Sequence, residues 1–408
     1  MSSRPPERFA LRVRTGQGQA PAGTCIHCEM VRHQFRFGIN AVPWGLADAP
    51  AQDAMNDAIT GLFNWVTVPF YWGRPLYSFC PPYEPEQGTT NAGRLEALIQ
   101  WCAEHEIRVK GHPLLFYREP EWLQHRPPDE QERMCWARIE REVSRFAGRV
   151  HAWEVVNEPT AWQQTCVASG ALAMHRLMEA NGPGAVIDRA HGIAAGADPS
   201  CELIQNDCVE TDDYADICRD ALDRGARIDA IGIQHHAIER PATEDQLAAL
   251  IDRFAALGRP VHITEIMIPS GSQTLRDTFN WTDRPEWVST PEGEERQARE
   301  TEQLYRRLFA NPAVTAITWW DPLDSHACLH IPCGLLRADG SPKPTYEVIR
   351  RLVTEEWRSV CNTTVDESGE IELQGHPGTY RLTVQAAGQA VSTDVELPQP
   401  IDTPVELT

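Results

Sequence analysis

Lysine is almost absent from this sequence. The 408 residues include only two lysines, Lys110 and Lys343, so arginine supplies nearly all of the positive charge. Asp and Glu together number 58 against 37 Lys and Arg, and the formal net charge is −21. Nucleic-acid binding relies on clustered Lys and Arg that neutralise phosphates. The composition therefore argues against a nucleic-acid partner.

Signals for export, membrane insertion and metal binding are also missing. The N-terminal residues 1–8 lack the apolar core of a signal peptide, and no run of about 18 apolar residues is present. Twelve cysteines are scattered along the chain, and the only close pair, Cys25-x-x-Cys28, has no second pair at zinc-finger spacing. We therefore expect a cytoplasmic protein with free thiols, or a secreted one if a leader has been removed. Neither a membrane partner nor a metal or other cofactor is expected.

Residues 33–355 alternate strand-like and helix-like stretches, which is typical of βαβ units. The apolar runs are continuous, as in parallel strands that are buried on both faces. Eight strands are predicted, at 35–42, 63–70, 108–116, 150–157, 202–207, 230–236, 261–266 and 313–320. With seven intervening helices and a last one near 346–357, they predict a catalytic (β/α)₈ TIM barrel. The active site of this fold lies at the C-terminal ends of the strands.

The two ends of the chain, residues 1–32 and 356–408, follow a different pattern. Segments such as 8–14 and 378–384 alternate apolar and polar residues with period two, which predicts half-buried antiparallel strands. About fifty residues are few for an independent hydrophobic core. We therefore predict that the N-terminal and C-terminal segments together form one small accessory β-sandwich.

Two of the predicted buried strands stop at a glutamate. Glu158 follows the fourth strand in Trp-Glu-Val-Val-Asn-Glu-Pro, and Glu265 ends the seventh in Val-His-Ile-Thr-Glu. A carboxylate at the end of an apolar run is costly unless it has partners or a chemical role. Two carboxylates that meet at one mouth of a barrel, about 5–5.5 Å apart, can hydrolyse a glycosidic bond with retention. The alternative is that they are structural ion-pair partners.

An ordered set of motifs resembles glycoside hydrolase family 10, whose typical members are endo-β-1,4-xylanases. The resemblance covers roughly residues 33–355 and rests on Gly111-His112-Pro-Leu-Leu, Trp153-Glu-Val-Val-Asn-Glu-Pro159, Gln205-Asn-Asp207, Ile231-Gly-Ile-Gln-His-His236, Ile263-Thr-Glu265 and Thr318-Trp-Trp-Asp-Pro-Leu-Asp324. It implies retaining, cofactor-free hydrolysis through a glycosyl-enzyme ester, with Glu158 as the acid/base and Glu265 as the nucleophile.

The resemblance also implies a set of sugar contacts at the cleavage point: Asn157, His112, Gln234, His236 and Trp320. Further candidate substrate-binding residues are Tyr117, Asn206, Trp72 and Arg74. An arginine can pair with a carboxylate in a bidentate manner, which would suit a uronic acid. The alternatives are that His112 and Trp320 belong to the core, that the aromatic residues near Trp72 pack on one another, and that Arg74 is merely exposed.

The sequence departs from family 10 at positions that contact sugar and at one position that helps to orient a neighbouring His. The family has a lysine after its second strand, and none occurs here before Lys110. Its Trp-His after the third strand is Phe116-Tyr117, and its Asp two residues beyond the nucleophile is Met267. We therefore expect hydrolysis of an unusual substrate, a xylan-derived oligosaccharide or a related small glycoside. The alternatives are an exo-acting glycosidase or transglycosylase on a non-xylan substrate, and a disabled carbohydrate-binding barrel.

Overall fold

The structure is a computed structural model that describes residues 4–15, 18–73, 77, 79–237, 242–271, 288–386, 389–400 and 403–407. The chain forms two compact units. One unit comprises residues 37–347, and the other comprises Met1–Arg36 together with Val348–Thr408.

The larger unit is built on a closed barrel of eight parallel strands that follow one another around the barrel in chain order. We number them β1 to β8: Arg36–Asn40, Trp65–Pro69, Arg108–His112, Ala152–Asn157, Glu202–Asp207, Ala230–Ile233, Val261–Ile266 and Val314–Trp319. All residues of β2, β4 and β7 are buried, as expected for strands covered on both faces. The (β/α)₈ prediction is confirmed.

Helices connect the strands, and one connection contains more helices than predicted. The α-helices are Ala49–Leu62, Ala92–Glu104, Pro128–Arg145, Trp162–Ser169, Leu172–Asn181, Pro183–Ala197, Asp212–Arg224, Glu244–Ala255, Pro291–Ala310 and Pro344–Arg351. Three of them separate β4 from β5, where the sequence pattern predicted one. Gly170 and Gly182 divide these three helices, with φ of 71° and 81°. A glycine after a helix and a proline at the next helix start are the usual stop and start signals.

Two strands end at least three residues earlier in the structure than the sequence pattern predicted. The run 108–116 forms β3 only to His112, and the run 230–236 forms β6 only to Ile233. Beyond β3 the apolar residues 113–116 continue at the mouth of the barrel, where Leu115 still makes a parallel bridge to Val156. Continuous apolar character therefore marks burial at the mouth as well as strand structure.

The smaller unit consists of two four-stranded sheets around one apolar core. One sheet contains Glu370–Gly375, Glu7–Thr15, Val405–Leu407 and Gly18–Gln19, and the other contains Val360–Thr364, Cys25–His33, Gly378–Ala386 and Gln389–Leu397. Residues from both sheets, such as Leu11, Ile26 and Leu382, share the core. Within the part of the chain that the structure describes, we find no helix both long and apolar enough to span a bilayer.

Candidate active site

Glu158 stands directly after β4 in an unusual backbone conformation. Its φ is +54°, in the left-handed region that non-glycine residues rarely adopt. The Glu158 N–H donates to the carbonyl oxygen of Asn206 at 3.0 Å, which ties this residue to the end of β5. Such backbone strain persists only where the surroundings hold it, and it is concentrated at functional sites. The strand end therefore fixes the direction in which the carboxyl group points.

Three side chains approach the Glu158 carboxyl group. Gln234 Nε2 donates to Oε1 at 2.8 Å, and Asn157 Nδ2 donates to the same oxygen at 3.2 Å. The Tyr117 hydroxyl is the third neighbour, and it favours the ionised form of Glu158. Burial raises the pKa of Glu158, Gln234 and Tyr117 oppose this change, and the negative charge of Glu265 adds to it.

Glu265 lies within β7, and only 4% of the residue is exposed. Asn206 Nδ2 donates to its Oε1 at 3.1 Å, and His236 Nε2 lies 3.4 Å from its Oε2. Burial raises the pKa of Glu265 to about 7, while the neighbouring His112 and Lys110 act in the opposite direction. The carboxyl group therefore ionises with difficulty and depends on these neighbours.

Gln234 and His236 link the two carboxyl groups. Gln234 donates through Nε2 to Glu158, and its Oε1 accepts from His236 Nε2 at 2.9 Å. The same His236 nitrogen faces Glu265 at 3.4 Å. The chain just beyond β6 thus bridges the ends of β4 and β7, so that Glu158 and Glu265 share one hydrogen-bonded network at the mouth of the barrel.

His236 is electrically neutral in this network. Burial lowers its pKa to about 4, so the ring carries no charge at neutral pH. Its Nδ1 is buried and has no hydrogen-bond partner among the described residues. Met267, where the sequence departs from the family pattern, belongs to a buried apolar cluster and offers this nitrogen no carboxylate. His236 can therefore position Glu265 as a donor but contributes no fixed positive charge.

A buried charged group lies next to Glu265. Glu154, in β4, forms an ion pair with Lys110 and accepts a hydrogen bond from His112 Nδ1, and both partners come from β3. The Tyr71 hydroxyl lies 3.1 Å from His112 Nε2. Sequence reasoning missed Glu154, Lys110 and Tyr71. The signal was nevertheless present, because Lys110 and Glu154 are charged residues inside apolar strands, where only paired charges are tolerated.

Asn206 connects this charged group to the carboxyl groups. Its Nδ2 lies 2.9 Å from Asn157 Oδ1 and 3.1 Å from Glu265 Oε1, and its Oδ1 accepts from the Thr264 hydroxyl at 2.7 Å. A β-carbon at Gly232 would lie 2.6 Å from Asn206 Oδ1. Glycine at this position of β6 therefore makes room for the amide that holds Glu265.

One group in this network has the composition of a metal site. Ligand atoms of His112, Glu154 and Glu265 all lie within 4.8 Å of one another. Lys110 already forms an ion pair with Glu154 at the same place, and its ammonium charge would repel a cation. We interpret the group as a charge-balanced part of the carboxyl network rather than as a metal centre.

The comparisons with known proteins agree with this geometry. The family model described as Glycosyl hydrolase family 10 matches residues 80–352, more than half of the chain. The chain belongs to glycosyl hydrolase family 10. This confirms the predicted family and its enzyme class, the O-glycosyl hydrolases. The family match begins at residue 80, within the segment between β2 and helix Ala92–Glu104.

Individual relatives of this family 10 chain are distant. Endo-1,4-beta-xylanase B of Thermotoga neapolitana is 28% identical over 295 residues, covering 66% of this chain and 77% of that protein. The anti-sigma-I factor RsgI6 of Acetivibrio thermocellus is 23% identical over 374 residues, and the match spans 89% of this chain but only 43% of that longer protein. The crystal structure of native xylanase 10B from Thermotoga maritima aligns with a TM-score of 0.62 at 23% identity, over 79% of this chain and 96% of that one.

The remaining candidate substrate-binding residues fall into different environments. Trp320 is 1% exposed and packs edge-to-face against His112, with ring centroids 5.3 Å apart. Trp72 donates its indole N–H to Glu84 at 2.8 Å, and Glu84 does not belong to the carboxyl network. Arg74 lies outside the described residues. The structure therefore brings Trp320, but not Trp72, next to the network.

The raised pKa of Glu265 has a consequence for stability. A carboxyl whose pKa rises from 4.5 to about 7 on folding destabilises the folded state by about 3 kcal/mol once it is ionised. The penalty is absent below pH 4.5 and complete above pH 7. We expect Glu265→Gln to raise the free energy of unfolding relative to the parent at pH 8 and to change it little at pH 4.5.

Urea unfolding of both proteins at the two pH values measures this difference. An exposed control, Glu140→Gln on helix Pro128–Arg145, should show no pH-dependent gain. An equal stability difference at pH 4.5 and pH 8 would contradict the ionisation penalty.

Proposed function

We propose that the chain hydrolyses a β-glycosidic bond with retention, with Glu158 as acid/base and Glu265 as nucleophile. The observation that carries the proposal is the network in which Gln234 and His236 join the two carboxyl groups at the ends of β4 and β7. Membership of family 10 supports the same assignment.

The environments of the two carboxyl groups suit different roles. The negative charge of Glu265 adds to the burial that raises the pKa of Glu158, and we assign the proton of the reactive state to Glu158 on this ground. Asn206, His236 and the nearby Lys110 favour the ionised form of Glu265 and oppose the burial that raises its pKa to about 7. A protonated acid beside an ionised nucleophile is the arrangement that the first chemical step requires.

The reaction then proceeds in two displacements. In the first, a Glu265 oxygen bonds to the anomeric carbon as the bond to the leaving oxygen breaks, and Glu158 gives its proton to that oxygen. In the second, Glu158 takes a proton from water as the water oxygen bonds to the anomeric carbon and the Glu265 ester breaks. Gln234 holds Glu158 in place through both steps.

The substrate that we propose is a xylan-derived oligosaccharide or a related small glycoside. The names of several relatives, such as the endo-1,4-beta-xylanases of Thermotoga neapolitana and Geobacillus stearothermophilus, support a xylan-type sugar. Two replaced positions support a substrate other than plain xylan: Phe116-Tyr117, and Met267 where the family has the Asp that helps to orient the neighbouring His.

A second candidate, exo-acting hydrolysis of a non-xylan glycoside, is favoured by the aromatic packing around His112. The mouth cluster is the set of buried side chains Val42, Tyr71, Tyr77, Cys80, Phe116, Met267, Trp320, Cys328, Ile331 and Cys333. Tyr71 occupies His112 Nε2, which a sugar hydroxyl would otherwise reach. The buried hydroxyl of Tyr77 has no partner among the described residues. Protein side chains therefore already occupy the sugar position next to His112. Such a site suits a substrate that ends at this point, as the substrate of an exo-acting enzyme does.

Aryl β-glycosides distinguish these candidates. We expect phenol release from at least one member of a panel of xyloside, xylobioside, glucoside, glucuronide and arabinoside, with no release by Glu265→Gln. Faster cleavage of xylobioside than of xyloside supports the oligosaccharide reading, and cleavage of monosaccharide glycosides alone supports the exo-acting one. If the folded protein hydrolyses no glycoside of the panel and no xylo-oligosaccharide, the result would argue for a carbohydrate-binding barrel instead.

A further inference from the structure

The Cys25-x-x-Cys28 motif lies on a β-strand, and this decides what its thiols can do. On a strand, residues three apart point to opposite faces. Cys28 is fully buried in the core of the smaller unit, whereas Cys25 is exposed. The two thiols therefore face away from each other, and the motif cannot act as the dithiol pair that its spacing suggests.

The strand register gives Cys28 a different partner. Strand Val360–Thr364 pairs antiparallel with Cys25–His33, and Cys361 lies directly opposite Cys28. On the other face of the same pair, His27 Nδ1 and Asn362 Oδ1 lie 3.0 Å apart, which independently supports the register. Cys361 is half-buried and packs against the same core as Cys28.

Directly opposed residues of antiparallel strands suit a disulfide. Their Cα atoms are about 4.5–5.5 Å apart. Disulfides span Cα separations of about 4.4–6.8 Å and need both side chains on one side. Cys28 and Cys361 meet both conditions, because they lie directly opposite each other and both pack against the same core. In the same register Cys25 lies opposite Thr364, so it faces no thiol on this neighbouring strand.

We propose that Cys28 and Cys361 are a redox-active pair that forms a disulfide between the N-terminal and C-terminal strands. With glutathione disulfide as oxidant, the more accessible Cys361 thiolate attacks one glutathione sulfur and releases a glutathione thiolate. The Cys28 thiolate then attacks the Cys361 sulfur of the mixed disulfide and releases the second glutathione. Two protein thiols are oxidised, one glutathione disulfide is reduced to two thiols, and the two protein protons pass to the glutathione thiolates.

The second step sets the rate. Burial raises the pKa of Cys28 to about 12, so few molecules carry its thiolate at neutral pH. Disulfide formation should therefore be slow at pH 7 and faster at pH 8.5. Once formed, the bond joins residues 333 positions apart (361 − 28). A cross-link across so long a segment restricts the unfolded chain strongly.

Peptide mapping tests the proposal on the full chain. The folded protein is treated with glutathione disulfide at pH 8.5, quenched with acid, alkylated under denaturing conditions and digested with trypsin. Cys25 and Cys28 share the tryptic peptide 15–32, and Cys361 lies in 359–381. We expect these two peptides to be disulfide-linked in the parent and in Cys25→Ser, with release by dithiothreitol.

Two further measurements complete the test. In Cys361→Ser, with folding checked by circular dichroism, the link should be absent and Cys28 should be alkylated. The oxidised parent should unfold at a temperature roughly 5 °C higher than the reduced protein. The proposal is overturned if Cys28 and Cys361 stay alkylatable in folded Cys25→Ser after oxidation, or if peptide 359–381 is linked only through Cys25 or to a second chain.

Discussion

Glu265→Gln is expected to lower kcat on a cleaved aryl β-glycoside by roughly 10⁴- to 10⁶-fold, as the loss of a covalent nucleophile does. A glutamine amide has nearly the shape of the carboxyl group and can still contact Asn206 and His236, which approach Glu265 within 3.1 and 3.4 Å. It cannot attack the anomeric carbon. KM should therefore change much less than kcat, and the fold should be retained.

The stereochemistry of azide rescue identifies the role of Glu265. In Glu265→Ala, azide can enter the space left by the side chain and displace the leaving group directly, which gives the α-glycosyl azide from a β-glycoside. Nuclear magnetic resonance of the product distinguishes the two anomers. Full activity in Glu265→Gln, with deamidation excluded by mass spectrometry, would show that the nucleophile lies elsewhere.

Glu158→Gln is expected to lower kcat/KM by roughly 10²- to 10⁴-fold for glycosides with poor leaving groups, because the leaving oxygen no longer receives a proton. A dinitrophenyl leaving group needs no proton, so its glycoside should lose far less in the first step. Hydrolysis of the ester should then become slow, and a burst of dinitrophenol should precede the steady state. In the profile of kcat/KM against pH, the alkaline decrease that reports the raised pKa of Glu158 should be absent from this variant.

The same variant series contains its own controls. Azide should rescue Glu158→Ala by attacking the glycosyl-enzyme ester, which gives the β-glycosyl azide, the opposite anomer to that from Glu265→Ala. Glu140→Gln, an exposed glutamate away from the network, should retain parental rates. Equal losses for dinitrophenyl and poor leaving groups in Glu158→Gln would count against the acid/base role.

Parallel-strand periodicity was sufficient to predict the barrel and to bring Glu158 and Glu265 to one mouth. It could not show what each carboxyl group touches. Tyr71 reaches His112 from 41 residues away, and Glu154 pairs with Lys110 from 44 residues away. Such contacts depend on the three-dimensional register of neighbouring strands, which no local pattern contains.

Side-chain roles were harder to predict than strand positions for the same reason. Tyr117 is predicted to contact sugar, and the structure adds that its hydroxyl influences the pKa of Glu158. His112 is predicted to contact sugar too, and the structure adds that Glu154 and Tyr71 contact its two ring nitrogens. An aromatic or imidazole group at the mouth of a barrel is compatible with both roles, and only the positions of its neighbours distinguish them.

The scarcity of lysine has a practical consequence. Lys110 and Lys343 are each 1% exposed, and each holds a carboxylate, Glu154 and Asp324 respectively. The folded surface therefore offers no lysine ammonium group to reagents that acylate amines, to glutaraldehyde or to aldehyde-coated supports. Attempts to label, cross-link or immobilise the native protein through lysine should fail, and uptake of an amine-directed dye at either position would report that the barrel has opened.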